Sequence, residues 1–417
     1  MALPFRGSSA PSSHDCTTVG IRLFLVTPSR FSLNILHLAS SERWTGAAEP
    51  VASLARQQMR LGHRVWLACV PGRSFARKAR ERGLALADGF HLNRRLNPFH
   101  LIADLKLLAR FCRENRIDIV HCHLLHDHWL AATALKGLRA RQNGLPLLVR
   151  TIHAGAPPRS DWMHRRLFLE RTDQFVCVAA DAARRAELAL RLPAGSVAYV
   201  RGGVDLDRFR PGLDGSALRS ELGIPMDAPV AGVVARMRVD RGLRWLIQAI
   251  PAVLEQVPSA HFLVAGRGEL KHWFKREIRD PAYRGQVKYA GHRREDLPLA
   301  YAAMDVLLFL GLGSEGTCRA LLEAMACARP TIGAHKAAVP EIIDNKKTGL
   351  LVRDHDVKDL SDKLVEMLGD RDKCARMGEA ARARAETLFD EAARARAFDA
   401  IYRSLMEKKG LLTNSGA

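Results

Sequence analysis

Apolar positions between residues 33 and 408 alternate between two patterns, short continuous runs and stretches with apolar residues every third or fourth position. The run Asn34-Ile-Leu-His-Leu38 reads as a strand that empties into a loop over 40–48. A helix over 50–61 follows, with Pro50 at a first turn, where the missing N–H costs nothing, and Gly62 at its end. Further strands are expected at 64–68, 117–120, 147–150 and 174–178, with helices between them. After the turn-rich stretch 202–215 a second series begins, with strands at 230–234, 261–265, 286–289, 306–309 and 330–332. Within 243–256, Leu243, Leu246, Ile247, Ile250 and Leu254 hold helical spacing, and 359–409 is helical pattern throughout.

A strand–helix–strand rhythm calls for parallel sheets covered on both faces. The fold class expected is therefore α/β, with two Rossmann-like domains whose sheets face a central cleft. The expected boundaries are a disordered tail over 1–30, a first domain over 31–205, a second domain over 206–390, and a C-terminal helix over 391–417 returning to the first domain. Ligands of open parallel sheets bind at the strand ends.

Length agrees with this division, since 417 residues exceed one comfortable core. The longest apolar runs, such as 304–312, stop far short of the roughly 20 residues a membrane span needs. Polar residues and Pro interrupt every apolar stretch of residues 1–30, which argues against a signal peptide and for a cytoplasmic protein. The eight cysteines never form C-x-x-C and read as buried reduced thiols. Charge changes the picture more. The net +20 is concentrated in the first 200 residues, which carry 29 basic against 14 acidic residues, compared with 35 against 30 in the remainder. Such a balance implies an anionic partner, either a phosphorylated acceptor or an acidic membrane surface, unless it reflects only an Arg-rich background. No reader module or aromatic-basic interleaving supports nucleic acid.

The densest chemistry lies in Gly313-Ser-Glu-Gly-Thr-Cys-Arg-Ala-Leu-Leu-Glu-Ala-Met-Ala-Cys327, which follows an apolar strand. Strand, small-residue turn and helix start together make an anion site, because unpaired N–H groups and the helix dipole point outward. Glu315 stands at the mouth of that turn, and Glu323 lies on the helix face shared with Arg319. The plainer reading is an N-terminal carboxylate and an i,i+4 ion pair.

This segment resembles the family 4 glycosyltransferases of GT-B fold, which carry Glu-Gly…Glu-Ala-Met at this spacing. Other elements fall in that family's order: Thr45-Gly-Ala47, Gly62-His-Arg-Val65, Asp118-Ile-Val-His-Cys-His123, Thr151-Ile-His153, Gly202-Gly-Val-Asp205, Ala235-Arg-Met-Arg-Val-Asp-Arg-Gly242 and Val264-Ala-Gly-Arg-Gly268. The resemblance covers roughly residues 33 to 408 and implies a retaining, metal-independent transfer from a nucleotide-diphosphate sugar. That sugar nucleotide is a substrate, so no cofactor is expected. The resemblance further implies a diphosphate clamp of Arg236 and Arg241, suited to the charge that grows on the leaving phosphate. It implies Glu323 on the ribose hydroxyls, Glu315 on the transferred sugar, and His153 beside sugar and acceptor as the first domain's catalytic residue. Gly46, Gly266, Gly316, Thr317, Cys318 and Arg319 complete the expected donor site. Thr317-Cys318 replaces the family's usual Phe-Gly, and Ala47 its second loop glycine. Glu341, in a loop resembling Gly-Gly-x-Pro-Glu, reads as structural.

The cluster His121, Cys122, His123, His126 and His128 has the density of a metal site, but strand alternation separates Cys122 from its histidine neighbours. No metal is expected. The acceptor expected from the basic first half is a lipid-linked, lipopolysaccharide or other cell-envelope glycan, reached by peripheral docking on the inner face of the cytoplasmic membrane. The alternatives are a small soluble acceptor, or a sugar-nucleotide epimerase of the same fold.

Overall fold

The computed structural model describes residues 32–44, 48–92, 97–139, 145–153, 157–311 and 318–411. The tail over 1–30 lies outside them, as do Gly46, Glu315, Gly316 and Thr317. The first half runs β1 (Asn34–Ala39), α1 (Glu49–Arg60), β2 (Arg64–Cys69), α2 (Ser74–Glu81), β3 (Ala85–Leu86), α3 (Pro98–Glu114), β4 (Ile119–Cys122), α4 (Leu125–Arg139), β5 (Leu147–Ile152), α5 (Trp162–Glu170), β6 (Gln174–Cys177), α6 (Ala180–Leu190) and β7 (Val197–Tyr199). These strands form one parallel sheet in the order β3-β2-β1-β4-β5-β6-β7.

The second half runs α7 (Ser216–Leu222), β8 (Val230–Val234), α8 (Leu243–Gln256), β9 (His261–Ala265), α9 (Lys271–Glu277), β10 (Val287–Gly291), α10 (Leu297–Ala302), β11 (Val306–Phe309), α11 (Arg319–Ala326), β12 (Thr331–Ala334), α12 (Val339–Ile342) and β13 (Gly349–Val352). Its sheet is again parallel, in the order β10-β9-β8-β11-β12-β13. Three helices close the chain: α13 (Val357–Leu368), α14 (Arg371–Leu388) and α15 (Glu391–Lys408).

Most elements sit where periodicity puts them. One strand does not: β4 starts at Ile119, two residues after the expected 117. Ile117 is buried, and its N–H donates to the Cys112 carbonyl at 2.9 Å, so it closes the end of α3 instead. The left-handed Arg116 (φ 48°) makes that reversal. The edge strands β3, β7 and β13, of two to four residues, carry too little pattern to be expected. The seven described cysteines are buried, and no disulfide joins them.

Both faces of the first sheet are covered. Leu33, Ile35, Ala39, Ile119, Leu147 and Val149 pack with α1 and α15, while Leu36, Leu38, Val120, Cys122 and Leu148 point to the opposite core. Helix α15 thus lies on the first half although the second half precedes it in sequence. Its Asp399 accepts from His63 at 2.9 Å, and its Arg394 donates to the Pro50 carbonyl at 3.0 Å. The outgoing and returning crossings run side by side, with Val204 N–H donating to the Phe389 carbonyl at 2.8 Å.

Candidate active site

In an open parallel sheet, the crevice forms where strand order reverses and neighbouring strands send their connections to opposite sides. That reversal falls between β1 and β4 in the first sheet and between β8 and β11 in the second. Every sequence-expected site residue within the described regions leaves one of these strands, a neighbouring strand, or the helix that follows.

In the second half the loops leaving β8, β9 and β11 are pressed together by small residues. A Cβ at Gly266 would collide with the Ala235 carbonyl, and one at Gly311 with the Asp240 carbonyl. Gly266 therefore serves close backbone packing beneath the loop that carries Arg236. The Arg236 side chain is exposed, whereas Arg241 sits in a single 3-10 turn (Val239–Arg241), largely buried, with Nε 3.8 Å from Asp240 Oδ1. Helix α11 starts after Cys318, whose left-handed backbone (φ 45°) makes the turn and whose side chain is buried.

Arg319 and Glu323 are brought together, Nε to Oε1 at 2.7 Å, and Tyr301 donates to the other Glu323 oxygen at 2.6 Å. Arg319 also reaches across to Glu49, in the first turn of α1. Glu49 in turn takes both Arg82 amino groups at 3.2 Å and lies 3.9 Å from Arg208. Burial works to raise the Glu49 carboxyl, but Arg319, Arg82 and Arg208 outweigh it and hold it below its usual range. Burial raises the Glu323 carboxyl against the pull of Arg319. A carboxylate has about four acceptor positions, so two bonds leave Glu323 room for a ribose diol. A cavity bounded by Glu49, Gly203, Asp205, Arg319 and Glu323 opens here beside the crossing.

In the first half His153 lies at the end of β5, buried, with Nε2 3.1 Å from His123 Nδ1. Strand pairing adds His37, which the sequence did not bring into the cluster: His37 and His121 are partners across β1 and β4. Cys122 does face away, toward the other core. One ring nitrogen from each of His37, His121 and His123 falls within 4.8 Å of the other two, close enough for one metal ion. Each of those rings is also bonded to other side chains, including Gln58, Tyr402, Thr151 and His153. His126 and His128 lie in α4, and His128 bonds Thr172 at 2.7 Å. Glu341 joins the halves by another route, accepting from the Ala180 and Asp181 N–H groups at the start of α6, both at 2.8 Å.

Sequence reading missed Glu49, Tyr301, His37, Gln58 and Tyr402. Only Glu49 left a local signal, an acidic residue in a first helical turn directly after the expected donor loop.

Comparison with known proteins agrees with this architecture. The model described as Glycosyltransferase Family 4 matches residues 44–208, and that described as Glycosyl transferases group 1 matches residues 228–370. A GDP-mannose-dependent monoacylated alpha-(1-6)-phosphatidylinositol monomannoside mannosyltransferase of Corynebacterium glutamicum is 34% identical over 45% of this chain, and the match spans about half (51%) of that relative. A GDP-mannose-dependent alpha-(1-6)-phosphatidylinositol monomannoside mannosyltransferase of Mycobacterium tuberculosis is 28% identical over 64% of this chain and 74% of its own length. Anabaena HepE, solved in complex with UDP-glucose, superposes with a TM-score of 0.72 at 19% identity, covering 89% of this chain and all (100%) of its own. With both halves matched in order and the two-sheet fold shared, the chain belongs to the family 4 glycosyltransferases and is a glycosyltransferase of GT-B fold.

Proposed function

We propose that the protein moves a sugar, with retention, from a nucleotide-diphosphate sugar to a lipid-linked or other cell-envelope acceptor, working as a peripheral protein on an anionic membrane. The observation that carries the donor half is that the loop bearing Arg236 and Arg241 and the helix start bearing Arg319 follow the two strands at the second sheet's reversal point, with Arg319 reaching Glu49 at the start of α1. Cations fixed there would hold the pyrophosphate and stabilise charge on the departing oxygen. The glycosyl–phosphate bond breaks, the acceptor oxygen bonds to the anomeric carbon on the same face, and the acceptor proton passes to the departing diphosphate. Glu323 would hold the ribose. His153 would meet the transferred sugar.

Two relatives named GDP-mannose-dependent support GDP-mannose as the first donor to try, and their phosphatidylinositol monomannoside acceptors support a lipid substrate. The first half also exposes apolar side chains suited to a lipid interface: Phe99 and Ile102 on α3, and Trp162 and Met163 on α5. No helix among the described residues is long and apolar enough to cross a membrane. A thermal-shift series with GDP, UDP and ADP tests the donor half: one diphosphate should stabilise the protein, and none doing so ends that half. Sedimentation with vesicles containing acidic lipid at low salt tests the membrane half, and failure to sediment with them removes it.

A further inference from the structure

The face of the first sheet turned toward α1 and α15 carries a continuous run of buried polar groups. Strand alternation selects them: His37 on β1, His121 on β4 with His123 just past its end, and Thr151 on β5 with His153 just past its end. Gln58 of α1 and Tyr402 of α15 enter from above, and each of the seven residues is at most 8% exposed. Gln58 Oε1 lies 2.7 Å from His37 Nε2, His37 Nδ1 lies 2.9 Å from His123 Nε2, and His123 Nδ1 lies 3.1 Å from His153 Nε2. On the other branch, Gln58 Nε2 donates to Tyr402 at 3.2 Å, Tyr402 lies 2.6 Å from His121 Nδ1, and His121 Nε2 lies 2.7 Å from Thr151 Oγ1.

Burial pushes His37 down to about 4 and His153 down to about 3, and holds His121 and His123 well below the usual range. At neutral pH each ring therefore carries one proton, and the protons can be counted. The Gln58 carbonyl only accepts, so His37 donates from Nε2 and its Nδ1 is bare. That bare nitrogen must receive from His123 Nε2, which leaves His123 Nδ1 bare to receive from His153 Nε2. His153 Nδ1 then has no proton, and it is the one nitrogen of this run without a partner among the described residues. The other branch closes as consistently, with Gln58 donating to Tyr402, Tyr402 to His121, and His121 to Thr151. Turning the Gln58 amide over would reverse every bond and put the proton on His153 Nδ1.

We infer that Gln58 is a positioning residue that, through His37 and His123 and with its own amide held by Tyr402, sets which ring nitrogen of His153 carries the proton. His153 Nδ1, buried at the strand end, is then left as the hydrogen-bond acceptor for a sugar hydroxyl. The sugar contact rests on the function proposed above, whereas the proton arrangement does not.

The test is nitrogen-15 NMR of histidine-labelled full-length protein at pH 7, with the His153 signals assigned from His153→Gln. The wild type should show His153 protonated at Nε2 and bare at Nδ1. Gln58→Leu should move His153 to the other tautomer or to a mixture, and Tyr402→Phe should move it in the same direction by less. With GDP-mannose as donor, both variants should lose turnover at least tenfold while KM stays within about threefold, with turnover normalised to the folded fraction read from a melting curve, since unfolding alone lowers apparent turnover at unchanged KM. A wild-type His153 protonated at Nδ1, or a tautomer unmoved in both folded variants, overturns the inference. Failure of every nucleoside diphosphate to stabilise the wild type would end the donor assignment while leaving the NMR result intact.

Discussion

At the ends of β1 and β4 the gathered groups are uncharged rings, an amide and hydroxyls, whereas at the ends of β8 and β11 they are guanidinium groups and carboxylates. Both sets occupy the same place in the same topology, the reversal point of a parallel sheet. The difference follows from what each must hold under the proposed function. A pyrophosphate needs fixed positive charge and a helix start, while a sugar hydroxyl needs a neutral partner of defined polarity. Neutrality is obtained by burial, and polarity by a chain of bonds anchored on one amide. Charge is obtained by opposing it with charge: Arg319 bonds Glu323 and Glu49 between two helices, and Arg241 lies beside Asp240 on a loop whose backbone packs against Gly311, while Arg236 stays exposed.

Removing the exposed Arg236 should have the largest functional effect. Arg236→Ala is expected to lower kcat/KM roughly 100- to 1000-fold, the loss typical of a donor aimed at developing charge, with the thermal midpoint unchanged because that side chain is exposed. Steady-state kinetics beside a melting curve separate the two. If activity survives, the charged region is not the donor site. Next in size is Glu49→Ala, which leaves Arg319, Arg82 and Arg208 facing one another. Since the carboxylate keeps 14% exposure, a loss of about 2–3 kcal/mol is expected, below the full cost of breaking a deeply buried pair. Urea unfolding reads this directly.

Acid should separate the regions on the pH axis. The unfolded chain takes up protons at histidine near pH 6.5, whereas folded His37 does so only at about 4 and His153 at about 3. Stability should therefore fall as pH drops from about 6.5 toward 4, by about 1.4 kcal/mol per pH unit for each such imidazole. His37→Gln should flatten that slope. The Glu49 carboxyl is depressed instead, so its contribution persists through this window and is lost only as pH falls below the usual carboxylate range. The smallest effect concerns the strut between halves. Glu341→Ala leaves two N–H groups of α6 without their acceptor, at a cost of about 1 kcal/mol, the scale of a lost helix cap. Faster amide exchange confined to Ala180 and Asp181 would register it.

Much of this protein was legible along the chain. Strand–helix periodicity defined two parallel sheets, because a strand buried on both faces must be apolar throughout and a covering helix must be apolar on one side. The order of short motifs then placed Arg236, Arg241, Arg319 and Glu323 on one sheet and His153 on the other. Alternation along β4 alone was enough to turn Cys122 away from its neighbours. Tertiary structure decided what no local pattern encodes. His37 meets His121 only because β1 pairs with β4. Tyr402 meets Gln58 only because α15 folds back over α1. Glu49 becomes the partner of Arg319 only when the starts of α1 and α11 face each other. Periodicity reports which face of an element is buried; which groups share that burial depends on contacts between residues up to 344 positions apart, and those are set by strand order and helix docking.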